Sequence, residues 1–126
     1  MTNTEVIEAA YAAFAEGDIE GLLALHTEDA VWLDNSPAAS PLRGTWEGHE
    51  GILDLIGHVP GLLELEQGVD HLLADGDTVV AVLSHRITHA VSGKVDEGRA
   101  VHVWHLNDGK IDHLEVFPPE SEDFYR

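Results

Sequence analysis

Glu28-Asp29-Ala30-Val31-Trp32-Leu33-Asp34 follows a helical pattern, has the character of a short strand, and ends on a carboxylate. In a strand, alternate side chains share a face, so Ala30, Trp32 and Asp34 point one way and Val31 and Leu33 the other. A strand built only for a core would carry a third apolar residue at position 34, and a solvent-facing strand rarely spends a Trp. Either Asp34 faces an interior surface with chemistry to do, or it opens the turn Asp34-Asn35-Ser36-Pro37 through local backbone bonding.

Upstream, Val6, Ile7, Ala10, Tyr11 and Phe14 follow the i, i+3, i+4 rhythm of an amphipathic helix over residues 4–15. Thr4 suits its N-cap and Gly17 its stop. Asp18 then caps a second helix reaching about His26, with Ile19, Leu22, Leu23 and Leu25 inward. Downstream, Asn35 to Glu47 contains Pro37, Pro41 and Gly44 and reads as a long loop. Ile52, Leu53, Leu55 and Ile56 mark a third helix over 48–57, broken by Val59-Pro60-Gly61. The rhythm then changes to strands over 62–73, 78–83, 95–106 and 111–117. Ala74-Asp75-Gly76-Asp77, Ser92-Gly93-Lys94 and Asn107-Asp108-Gly109-Lys110 supply the turns. Helices first and consecutive hairpins afterwards predict one α+β domain over residues 1–126, its three helices packed on one face of an antiparallel sheet.

The 126 residues suit one domain, and 44% hydrophobic content suits a folded one. There is no cysteine, so disulfides, thiolate metal sites and a Cys nucleophile are excluded. Absent disulfides make a cytoplasmic home the default; no basic-then-apolar leader and no long apolar run suggest export or a membrane span. Twenty-four Asp and Glu against six Lys and Arg give a net charge of −18. That field repels phosphate backbones and anionic lipid, which argues against nucleic-acid and membrane partners. An ordinary acidic protein and one adapted to a salty cytoplasm both fit such a surface.

Nine histidines raise the question of a metal. His85 and His89 share a strand face but stand about 13 Å apart along it, and His102 and His105 fall on opposite faces. No His-Glu-x-x-His helix occurs, so no metal site is expected. Phosphate-loop and dinucleotide glycine patterns are absent, and no serine sits in a Gly-x-Ser-x-Gly elbow.

Ala13-Phe14-Ala15-Glu16-Gly17-Asp18, the run from Leu22 to Trp32, Pro41 to Gly48, Val101-His102-Val103-Trp104 and Asn107 to Ile111 resemble SnoaL-like, ketosteroid-isomerase-related proteins of the NTF2-like superfamily. The resemblance spans nearly the whole chain and implies a cone-shaped barrel, a homodimer through the sheet and no cofactor. Asp34 falls where ketosteroid isomerase holds its general base, and His102 near the place of its late-strand acid. The isomerase tyrosine maps on or next to Ala10. That leaves Tyr11 turned away by about 100° and speaks against steroid isomerisation itself.

The implied function is a cofactor-independent isomerase- or cyclase-type enzyme acting on a small apolar ring compound. Asp34 is the base and His102 the hydrogen-bonding partner. Trp32, Tyr11, Phe14, Trp46, Trp104 and Leu114 are the candidate ligand contacts. The alternatives are an epoxide hydrolase of the limonene-epoxide-hydrolase type, for which Arg86 with Asp70 or Asp112 would complete the site, and a non-catalytic small-molecule-binding or interaction module. Phe124 and Tyr125, following a double proline, suggest a C-terminus that docks rather than trails.

Overall fold

The computed structural model describes residues 1–126, and the elements follow the chain order expected for helices before hairpins. Helix α1 (Asn3–Glu16) buries Val6, Ile7, Ala10 and Ala13 and stops at Gly17, whose φ of 72° places it in the left-handed region. Its N-cap is Thr2 rather than Thr4. The Thr2 hydroxyl accepts from the Glu5 N–H and the Glu5 carboxylate returns the bond to the Thr2 N–H, a reciprocal pair that Thr4 cannot make. Asp18 caps α2 (Ile19–Ala24).

Strand β1 (His26–Asp34) alternates as its sequence demands, with Ala30, Trp32 and Asp34 all buried. The long loop expected after it contains a short strand, β2 (Gly44–Glu47), antiparallel to β1 with Trp46 opposite Trp32. Four residues flanked by prolines and glycines carry too little periodicity to announce themselves. Helix α3 (Gly48–Leu62) continues through Pro60 instead of ending before it. Pro60 lies in the last turn, where its missing N–H forfeits a single bond, and Val59 and Leu62 hold that turn against the core.

The rest is a meander of β3 (Leu63–Asp75), β4 (Thr78–His89), β5 (Val95–Asn107) and β6 (Lys110–Phe117). The β5–β6 turn has positive φ at Asp108 (50°) and Gly109 (79°), the conformation that Asp-Gly favours. β6 then lies parallel to β1, giving one six-stranded, curved and open sheet in the order β2-β1-β6-β5-β4-β3. Inward residues of each strand pack under the three helices in a core that includes Ile7, Leu22, Ile52, Trp104, Ile111 and Leu114. A 3-10 turn, η1 (Glu122–Tyr125), closes the chain and buries Phe124. The C-terminus therefore docks. Glu122 accepts from the Ala38 and Ala39 N–H groups, and the Lys94 ammonium donates to the Asp123 and Arg126 carbonyls.

Candidate active site

Sheet register brings the candidate residues together. Trp32, Leu114 and Trp104 stand side by side on β1, β6 and β5, all buried on the inner face. The next inward-facing row is Asp34, Val116 and His102. Asp34 and His102 thus share one face and one row, two strands or about 10 Å apart at the backbone. Between this face and helices α1 and α3 lies a cavity of about 130 Å³, with 14 hydrophobic residues among the 21 that line it. Asp34, His102, Tyr11, Phe14, Trp32, Trp104 and Leu114 all line it, and no Lys or Arg does.

Tyr11 reaches the cavity despite its offset from the isomerase tyrosine. Its hydroxyl stands 2.6 Å from His102 Nδ1 and accepts from Trp104 Nε1–H at 3.0 Å. Burial raises the Tyr11 phenol well above its ordinary value, so it keeps its proton. Burial, with the nearby His85, lowers His102 to about 4, so at neutral pH the imidazole is uncharged. A Tyr11 proton donated to His102 Nδ1 is compatible with the hydroxyl oxygen accepting from Trp104, and in that arrangement the neutral imidazole carries its own proton on Nε2, where it is a hydrogen-bond donor.

Asp34 is 7% exposed. Loss of solvent pushes its carboxyl above the ordinary value, tempered by the Ser36 hydroxyl and by the Ser36 N–H, which donates to Oδ1 at 2.8 Å. One carboxyl oxygen organises the turn while the side chain lines the cavity.

Trp46 lies apart from the cavity. Its Nε1–H donates to the Leu42 carbonyl and its ring meets His58 of α3, at the β2 edge of the sheet beyond β1. Arg86 is paired with Glu97 in solvent, Asp70 bonds Ser84, and Asp112 bonds His105. The Arg-and-two-carboxylate set of an epoxide hydrolase is not assembled from these residues, since each faces away from the cavity. No cluster of His, Cys, Asp or Glu could hold a metal ion.

Four polar lining residues are not among those the sequence pointed to as ligand contacts: His85, Gln67, Ser36 and Glu120. His85 faces inward beside Gly98, with Nδ1 buried and without a partner, and burial lowers its pKa. Its spacing from Leu83 and Ile87 carried that signal. Glu120 follows Pro118-Pro119 in the tail and had no periodicity to betray it.

Fold and cavity define a class, the NTF2-like α+β proteins with a pocket between helices and a curved sheet. Within it, residues 7–114 match the family model of the SnoaL-like domain, and the chain belongs to that family. An NTF2-like protein of unknown function from Burkholderia pseudomallei is 28% identical, with a TM-score of 0.83 over 93% of this chain and 90% of that one. TerC, crystallised with polyporic acid, is 31% identical, with a TM-score of 0.82 over 93% and 91%. A proposed polyketide cyclase from Xanthomonas campestris shares the fold at 17% identity, with a TM-score of 0.78 over 93% and 90%. Among curated proteins none matches in sequence. No helix is long and apolar enough to cross a membrane.

Proposed function

We propose that this protein is a cofactor-independent acid–base enzyme of the isomerase and cyclase type, acting on a small apolar ring compound. Asp34 takes a proton and His102 steadies the resulting oxyanion. The observation that carries this reading is a desolvated carboxyl in the same inward row as a neutral imidazole, across an apolar cavity. Burial moves Asp34 toward the range in which a carboxylate both ionises and accepts protons effectively. The Trp104–Tyr11–His102 chain leaves Nε2–H as the donor, placed to stabilise charge developing on an enolate oxygen without reorganisation. Walls of Trp32, Trp104 and Phe14 suit a flat ring. TerC, a similar protein seen with polyporic acid, supports a small organic ligand.

The protein is also inferred to pair with a second copy through the uncovered sheet face. Val80 lies opposite Val103 and Val82 opposite Val101, a half-buried apolar block flanked by exposed Leu73 and Phe117.

Deuterium exchange tests the chemistry before any substrate is known. In D2O, small cyclic ketones such as 2-tetralone are expected to exchange α-hydrogens faster with the protein than with buffer, and Asp34→Asn is expected to lower that rate about 100-fold or more. Exchange that persists unchanged in Asp34→Asn would remove Asp34 as the base.

A further inference from the structure

Apart from His26, every polar or charged residue buried in this protein lies in one cluster: Asp34, Ser36, Ser40 and Glu120. Ser36 holds Asp34, and the Ser40 hydroxyl accepts from the Leu42 N–H. Tyr125 donates to Glu120 Oε1 at 2.5 Å. That leaves Glu120 Oε2 buried and without a partner in a residue that is 7% exposed and lines the cavity. An orphaned buried carboxyl oxygen is costly, and a proton on it would remove the uncompensated charge.

The tail is built to put Glu120 there. Pro119 rests directly on β5 at Gly98, where any Cβ would come within 2.8 Å of the Pro119 Cβ. The Glu122 and Lys94 bonds pin the turn that follows.

We propose that Glu120 is a second functional carboxyl of this cavity and forms an acid–base pair with Asp34, so that one acid and one base are presented together to a ligand. This deepens the reading of Asp34 as the base and rests on it. Burial raises both carboxyls; at Glu120 the Tyr125 hydrogen bond works against that rise and the charge of ionised Asp34 adds to it. Asp96 on β5 adds to that effect. The other titratable groups facing the pair are His85 on β4, His102 on β5, Tyr11 on α1 and Tyr125 on η1. Burial keeps both imidazoles and both phenols uncharged at neutral pH.

The chemistry suited to such a pair is a ligand oxygen that accepts from Glu120 while a neighbouring acidic C–H or O–H gives its proton to Asp34. An enolisable ring ketone or a phenol has both. A carboxylate would meet two acids and no Lys or Arg.

Carbon-13 NMR titration of the side-chain carboxyls tests the pair without reference to turnover. In the wild-type protein Asp34 and Glu120 are expected to titrate in two linked steps, both above the ordinary range, with Glu120 last. In Asp34→Asn, the Glu120 step is expected to fall by about one unit or more. Glu120→Gln should abolish the upper step while Asp34 still titrates high. A Glu120 titrating at the ordinary glutamate value in the wild type, or unmoved in a folded Asp34→Asn, would overturn the pair. Failure of ketone exchange with the linked titration intact would instead count against the proposed reaction.

Discussion

The two polar ends of the cavity are both desolvated and differently wired. On the β5 side, Trp104 donates to the Tyr11 hydroxyl, which is bonded in turn to His102 Nδ1. On the β1 side, Asp34 and Glu120 are held by one turn and one tail residue, and a buried oxygen is left over. Burial acts on both in the same sense, toward neutrality. It strips the proton from imidazole and keeps it on carboxyl, so opposite pKa shifts arise from one cause. What distinguishes the ends is hydrogen bonding. The aromatic chain leaves the far ring nitrogen of His102 facing the cavity, whereas the under-satisfied carboxyls can exchange protons with a ligand.

The sharpest way to break this contrast is Asp34→Asn, with its loss of about 100-fold or more in ketone exchange. Tyr11→Phe should leave Asp34 titrating as before but orphan Trp104 Nε1–H and free His102 Nδ1. A stability loss of about 1–3 kcal/mol in urea unfolding is expected, and nitrogen-15 spectra should show His102 no longer held in one tautomer. Gly98→Val attacks the other end by pushing Pro119 off β5. The tail should become sensitive to carboxypeptidase, the Glu120 titration should relax toward the ordinary glutamate range, and stability should fall by about 1–3 kcal/mol.

The smallest effect is the pH dependence of the wild-type protein. His26 and His102 are both lowered to about 4 by burial, so the unfolded chain binds more protons than the folded one between that value and the ordinary 6.5. Their contribution is complete above pH 6.5 and is lost as pH falls toward 4. Asp34 and Glu120, raised in the fold, act in the opposite sense: their contribution is present below the ordinary carboxylate range and is lost as pH rises through their folded values. Urea midpoints measured across pH 4 to 7 should therefore rise with pH less steeply in wild type than in Glu120→Gln.

Much of this cavity lining is legible in the amino-acid sequence. Alternation in Ala30, Trp32 and Asp34 put the carboxyl on the tryptophan's face. Tyr11 was the instructive departure. Its offset from the isomerase tyrosine suggested a side chain turned away, but it meets His102 across the cavity, because α1 packs over β4 and β5 rather than obeying another protein's register. Trp46 shows the converse, an aromatic with the right composition on a strand placed outside the cavity.

Amino-acid order alone determined which residues share a face, where the hairpins turn, and that no thiol takes part, because side-chain period and turn chemistry are local properties of the chain. Tertiary structure alone decided that β6 returns parallel to β1 and sets Asp34 and His102 in one row. It also decided that a tail without periodicity carries Glu120 into the cavity, because both depend on contacts between segments some 70 to 90 residues apart that no local pattern encodes.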